Sequence, residues 1–90
     1  MANSGDILLL YKQDERAALQ KLFTVYYEPL LLYCYRLIRE PESAEDIVQE
    51  CFAKVWQKQK DFQYVYQVRS FMYTSVRNSC LNELEHRQVV

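Results

Sequence analysis

Ninety residues, 50% apolar and 26% charged, supply one small hydrophobic core and exclude a disordered tail or a membrane protein. A single glycine and two prolines leave too few turn residues to punctuate a sheet, so the economical fold is all-α. The net charge of −1 excludes a strong non-specific duplex binder but hides a segregation: Glu40 to Glu50 holds five acids and no base, whereas Cys51 to Ser79 holds five bases against Asp61 alone. Two faces with different partners are one reading of that asymmetry, and two ordinary solvated faces are the other. No apolar run reaches the ~20 residues of a bilayer span. Ile7 to Leu10 is too short for the apolar region of a signal peptide, so a cytoplasmic location and no membrane partner are expected. Cys34, Cys51 and Cys80 form no CxxC or Cys/His cluster and read as buried free thiols.

In chain order, Asp6 to about Gln13 reads as a short apolar-rich helix that must pack onto something, being too short to stand alone in water. Asp14 is an N-cap candidate opening a longer helix with Ala18, Leu19, Leu22, Phe23, Tyr26 and Tyr27 at helical spacing. Pro29 lacks a backbone donor and crowds the preceding turn, which predicts a kink or break near Glu28 and a helix resuming over Leu30 to Arg39. Tyr33, Tyr35 and Leu37 make that piece apolar almost all round, predicting a central position. Pro41 ends it, and Ser43 with Asp46 offers an S-x-x-D capping box for a helix running to about Lys58.

In this helix Ile47, Val48, Cys51, Phe52, Val55 and Trp56 form one stripe, opposite Asp46, Gln49, Glu50, Ala53 and Gln57. Gln59 to Gln67 breaks the period and reads as a structured loop. The last helix, about Val68 to Glu85, carries Val68, Met72, Val76 and Cys80 on one face and Arg69, Tyr73 and Arg77 on another, flanked by a polar ridge of Ser70, Thr74 and Asn78. The sum is a single-domain bundle of about four helices over residues 1–90.

Catalysis has little to work with. His86 is the only histidine, it lies near the C-terminus, and no nucleophile pairs with it, so the chain is not expected to be an enzyme or to take a small-molecule substrate. The acids between Glu40 and Glu50 match no EF-hand, Glu-x-x-His or HExxH pattern, so neither metal nor other cofactor is expected. Phe62, Tyr64, Tyr66 and Tyr73 lie among Lys58, Lys60, Arg69 and Arg77, the mixture of stacking faces and cations that a single-stranded nucleic-acid binder needs. The competing reading puts these rings in the core, and it is favoured for Phe62 and Phe71.

The stretch AEDIVQECFAKVW, Ala44 to Trp56, followed by VRSFMYTSVRNSCLNEL, Val68 to Leu84, resembles region 2 of bacterial sigma-70-type initiation factors. It looks closest to the extracytoplasmic-function (ECF) group, in a Bacteroidetes-like form, and a weaker likeness runs through the N-terminal helices. The resemblance implies a non-enzymatic transcription initiation domain. Its AEDIVQE helix would dock on the coiled-coil clamp helices of the RNA polymerase β′ subunit through Asp46, Gln49 and Glu50, extended by Ala53 and Trp56. The Lys60 to Ser70 loop and the helix after it would recognise and help melt the promoter −10 element, capturing a flipped non-template base; Lys60, Tyr64, Tyr66, Arg69, Ser70, Tyr73, Arg77 and Asn78 are the implied DNA contacts. An anti-sigma factor is a further partner such a domain can have.

The chain departs from the family where Phe71 replaces a common tryptophan and where Glu83 and Glu85 replace a more basic run. A full member would carry a second, helix-turn-helix domain for the −35 element, so the 90 residues are expected to be a fragment of a longer factor. The competing functional class is a helical adaptor or dimerisation domain whose acidic face meets another protein and which binds no DNA.

Overall fold

The computed structural model describes residues 14–88, and the helix expected over Asp6 to Gln13 lies outside them. Three α-helices follow in order, α1 (Glu15–Ile38), α2 (Pro41–Gln57) and α3 (Val65–Gln88), with a 3₁₀ turn (Gln59–Asp61) between the last two. The described residues contain no strand, so the all-α expectation holds.

Asp14 caps α1 as expected: its backbone is extended and its carboxylate accepts from the backbone N–H groups of Arg16 at 3.1 Å and Ala17 at 3.3 Å. Of the kink or break expected near Glu28, the break does not occur: α1 runs continuously through Pro29. Ala18, Leu22, Leu30, Cys34 and Ile38 are all buried along one i, i+4 stripe. Interrupting the helix would remove one end of that stripe from the core, and burial of several large side chains outweighs one lost backbone hydrogen bond. α1 ends at Arg39, whose left-handed backbone (φ 59°) returns its N–H to the carbonyl of Tyr35.

The capping box is also corrected. α2 begins at Pro41, two residues before Ser43, with Glu40 as an N-cap whose side chain makes no capping bond to the helix. Pro41 holds Glu40 extended (φ −135°, ψ 116°) and has its own φ already set for the first helical position, so the proline starts this helix. α3 likewise starts three residues earlier than expected, at Val65, which is buried. Its entry is tied down by the Gln67 side-chain carbonyl, which accepts from the backbone N–H groups of Gln63 at 2.8 Å and Tyr64 at 3.1 Å.

The two residues between α1 and α2 force a helical hairpin. Phe23 near the start of α1 meets Phe52 near the end of α2, ring centroids 5.1 Å apart. α3 returns alongside α1, with Tyr33 against Tyr73 and Cys34 against Cys80. At the end of this path Arg87 donates to the Ile38 carbonyl and pairs with Glu40 at 2.7 Å and Glu83 at 3.3 Å, capping the α1 terminus from α3.

Each helix packs against the other two and contributes five side chains to one core: α2 gives Ala44, Val48, Cys51, Phe52 and Val55, and α3 gives Val65, Val68, Met72, Val76 and Cys80. The central position expected for Leu30 to Arg39 is therefore not found. Among the described residues the three helices pack equivalently and none is central, and Leu32 and Tyr35 are exposed.

Candidate functional site

The polar edge of α2 comes directly from its register. With Val48, Cys51, Phe52 and Val55 turned into the core, Asp46, Gln49, Glu50 and Ala53 are carried to the opposite side, and all four are exposed. Trp56, counted in the apolar stripe, sits at the border with 37% of its surface exposed. Among the described residues Asp46 has no ion-pair partner and Glu50 has only Lys54, at 4.0 Å. Four of the five acids, Glu42, Glu45, Asp46 and Glu50, thus lie exposed along the first ten residues of α2, and the helix dipole favours Glu42 in the first turn. The fifth, Glu40, is spoken for by Arg87.

The residues singled out for nucleic acid fall into three groups. Tyr64 and Tyr66, 53% and 63% exposed, stack on each other at 5.6 Å at the entrance of α3, with exposed Lys60 in the 3₁₀ turn before them. Arg69, Tyr73 and Arg77 lie on the α1 side of α3. There Tyr73 is half-buried, edge-on to Tyr33 at 5.2 Å, and the Arg69 guanidinium lies 5.4 Å from the Tyr73 ring centre. Tyr73 thus has a structural partner on one side and a cation on the other, whereas Tyr64 and Tyr66 are open. Asn78 and Ser70 are exposed on the outer surface of α3. Phe62 and Phe71 pair at 5.5 Å beside the core, with the Lys58 ammonium 5.8 Å from the Phe71 ring centre.

Asn78 also lines a cleft that sequence reasoning did not assemble. Lys54 and Lys58 from the end of α2 form one wall, and Thr74, Asn78 and Asn82, one turn apart on α3, form the other, with Phe71, Ser75 and Ser79 completing a volume of about 410 Å³. The ladder Thr74, Asn78, Asn82 was visible as an i, i+4, i+8 pattern, but its lysine wall depends on how α2 and α3 cross. A second, more apolar groove of about 320 Å³ separates α1 from the start of α2 between Leu31, Leu32, Tyr35 and Pro41, rimmed by Glu28 and Glu45.

Comparison with known proteins decides what kind of domain carries these surfaces. The family model described as Sigma-70 region 2 matches residues 22–89. The chain belongs to the sigma-70 region 2 family. It is 33% identical over 70 residues to the ECF RNA polymerase sigma factor SigG of Mycobacterium tuberculosis, in strains CDC 1551 / Oshkosh and ATCC 25618 / H37Rv alike. That alignment covers 73% of this chain and 19% of the relative, so the chain spans about a fifth of the length of the curated relatives it matches. No solved structure matches it. The protein is thus a transcription initiation sigma factor domain, and the resemblance read from Ala44–Trp56 and Val68–Leu84 agrees with both findings. Its helices also account for one departure from the family pattern: Glu83 is neutralised by Arg87 on the next turn. Among the described residues no helix is long and apolar enough to cross a membrane, and no group of three His, Cys, Asp or Glu side chains is arranged to hold a metal ion.

Proposed function

We propose that this sigma-70 region 2 domain docks on core RNA polymerase through Asp46, Gln49, Glu50 and Ala53, flanked by Trp56, and engages the non-template strand of the promoter −10 element. The observation that carries the reading is the row of exposed, largely unpaired polar side chains on α2, directly opposite the face that builds the core. Nothing in the folding of α2 requires that row to be acidic beyond its first turn, whereas a basic helical surface on a partner does. By family likeness that partner is the pair of clamp helices of the β′ subunit. Tyr64 and Tyr66, exposed and stacked beside Lys60, support the second half: each offers an open ring to an unstacked base, an interaction worth roughly 1–3 kcal/mol per base. Arg69, Ser70, Arg77 and Asn78 extend that surface along α3, and Tyr73 orients Arg69. An anti-sigma factor covering either face would silence the domain.

The test has two arms. The domain should co-purify with core polymerase, and Asp46→Ala with Glu50→Ala should abolish this; unchanged co-purification removes the docking edge. Fluorescence anisotropy with −10-like single strands should show a sequence preference that Asn78→Ala weakens. A helical adaptor without DNA function would bind matched and scrambled strands equally or not at all.

A further inference from the structure

α1 and α3 meet around two sulfurs that neither the docking edge nor the promoter-strand surface uses. Cys34 on α1 and Cys80 on α3 are both fully buried, with their Sγ atoms 3.0 Å apart. A disulfide bond is about 2.05 Å long, so an approach of roughly 1 Å separates this pair from a covalent link. The backbones are suitably placed for it. Helices packed at the usual spacing of about 8–10 Å, with Cα atoms on cylinders of about 2.3 Å radius, bring facing Cα atoms to roughly 4–5 Å. That overlaps the span of about 4.4–6.8 Å that a disulfide bridges, so side-chain torsions can close the bond while both helices stay in place. The two residues are 46 positions apart, with all of α2 between them, and a disulfide that closes a long loop restricts the unfolded chain most. Cys51 is placed differently, donating to the Met72 carbonyl at 3.6 Å.

Neither sulfur of the pair reaches solvent in the closed bundle, and burial holds both thiols in the protonated, unreactive form. An oxidant therefore meets them only in chains that have opened. We propose that Cys34 and Cys80 are a redox pair that a small disulfide of the glutathione disulfide kind oxidises while the bundle is open, and that the resulting bond staples α1 to α3 when it closes. In the open chain one cysteine thiolate attacks a sulfur of the oxidant, forming a protein–glutathione disulfide and expelling one glutathione thiolate. As the chain closes, the second cysteine attacks the protein sulfur of that mixed disulfide, the Cys34–Cys80 bond forms, and the second glutathione leaves. Each expelled thiolate takes up a proton that a cysteine gave. Two thiols and one oxidised glutathione thus become one protein disulfide and two reduced glutathiones, with two electrons passing from the cysteine sulfurs to the oxidant. The stapled domain keeps α3, with Arg77 and Asn78 within one turn of Cys80, against α1 under conditions that unfold the reduced chain.

The test exposes the 90-residue chain to glutathione disulfide at about pH 8 in two ways, during refolding from urea and in the folded state without denaturant. Intact mass, thiol counting and non-reducing peptide mapping read the product. The refolded chain should lose about 2 Da, keep Cys51 as its free thiol and yield a Cys34–Cys80 cross-linked peptide, whereas the folded chain should form that bond at least about tenfold more slowly. The oxidised chain should melt about 10–20 °C above the reduced one, and dithiothreitol should erase the difference. Cys51→Ala should form the same bond with the same gain, and Cys34→Ala should show no gain that a reductant removes. Peptide mapping is done on the wild-type chain, so it decides the pairing even where a variant fails to fold.

Three free thiols after refolding, or bonds to Cys51 as abundant as Cys34–Cys80, would overturn the pairing. An oxidised chain that melts at or below the reduced one would show that the closed bundle does not accept the bond, and the staple would fall. Equal rates of oxidation in the folded and refolding chains would overturn the requirement for opening. The exposed surfaces assigned to polymerase and promoter are untouched by any of these results.

Discussion

Cys34 and Cys80 bring their Sγ atoms to 3.0 Å inside the bundle, and the Cys51 thiol donates to the Met72 carbonyl at 3.6 Å. Burial pushes the Cys34 thiol up to about 12, reinforced by its neighbour Cys80. It pushes Cys51 up to about 11 and Cys80 in the same direction. A thiolate is the nucleophile, so none of the three should react with a disulfide reagent at pH 8 in the folded chain, and all three should react in urea. The sign for stability follows from linkage. The unfolded thiols ionise near 9 and the folded ones later, so the unfolded state releases protons first and gains. Stability should be level up to about pH 8 and fall from about pH 9, Cys51 contributing until about pH 11 and Cys34 until about pH 12, each thiol tilting it by up to about 1.4 kcal/mol per pH unit. Urea midpoints measured across that range check this, with Cys51→Ala expected to flatten the fall; a curve of equal slope in that variant would contradict the assignment. At the same scale, Arg39 sits at φ 59° where a side chain costs about 1–2 kcal/mol. Arg39→Gly should raise stability by about 1 kcal/mol, a gain readable as a higher melting temperature.

Two prolines illustrate what an element owes to its sequence and what it owes to its neighbours. Pro41 acts locally: it sets its own φ, straightens Glu40 and starts α2, and this was readable in principle from the proline alone, although the Ser43 capping pattern competed for the same role. Pro29 cannot be read locally. Its cost to α1 is real, but the decision to continue the helix rests with Leu30, Cys34 and Ile38, whose burial depends on α2 and α3 being in place. Pro29 is exposed, so Pro29→Ala should stabilise the chain by up to about 3 kcal/mol, whereas Leu30→Ala, one residue on, should cost about 2–5 kcal/mol. Chemical denaturation of both variants would show whether tertiary burial is what carries α1 across the proline; a Pro29→Ala chain no more stable than wild type would argue against it. The same division runs through the candidate site. The α2 edge was legible, since a 3.6-residue period fixes which side chains oppose a core stripe. The roles of Tyr73 and the α2–α3 cleft were not, since one depends on Tyr33 and the other on Lys54 and Lys58 arriving from another helix.

Across the whole molecule, α2 carries both charges of the segregated sequence, acids along its first turns and Lys54 and Lys58 at its end. Glu50 and Lys54 lie 4.0 Å apart on successive turns where the two regions meet, the carboxylate on the edge proposed for docking and the ammonium in the α2–α3 cleft. In the free domain the carboxylate would compete with a DNA phosphate for Lys54. On the docking proposed above, the same carboxylate would turn to a basic partner and leave the lysine free for a phosphate. An exposed pair of this kind couples weakly, so the effect is a bias and not a lock. Glu50→Gln should therefore act with opposite signs on the two partners. It should weaken co-purification with core polymerase and strengthen single-strand binding by the free chain about two- to fivefold at low salt, with the gain fading as ionic strength screens the pair. Lys54→Gln in the same background should cancel the gain in DNA binding, because the carboxylate acts through that lysine. If Glu50→Gln weakens both partners equally, the residue supports α2 itself and the two surfaces are independent.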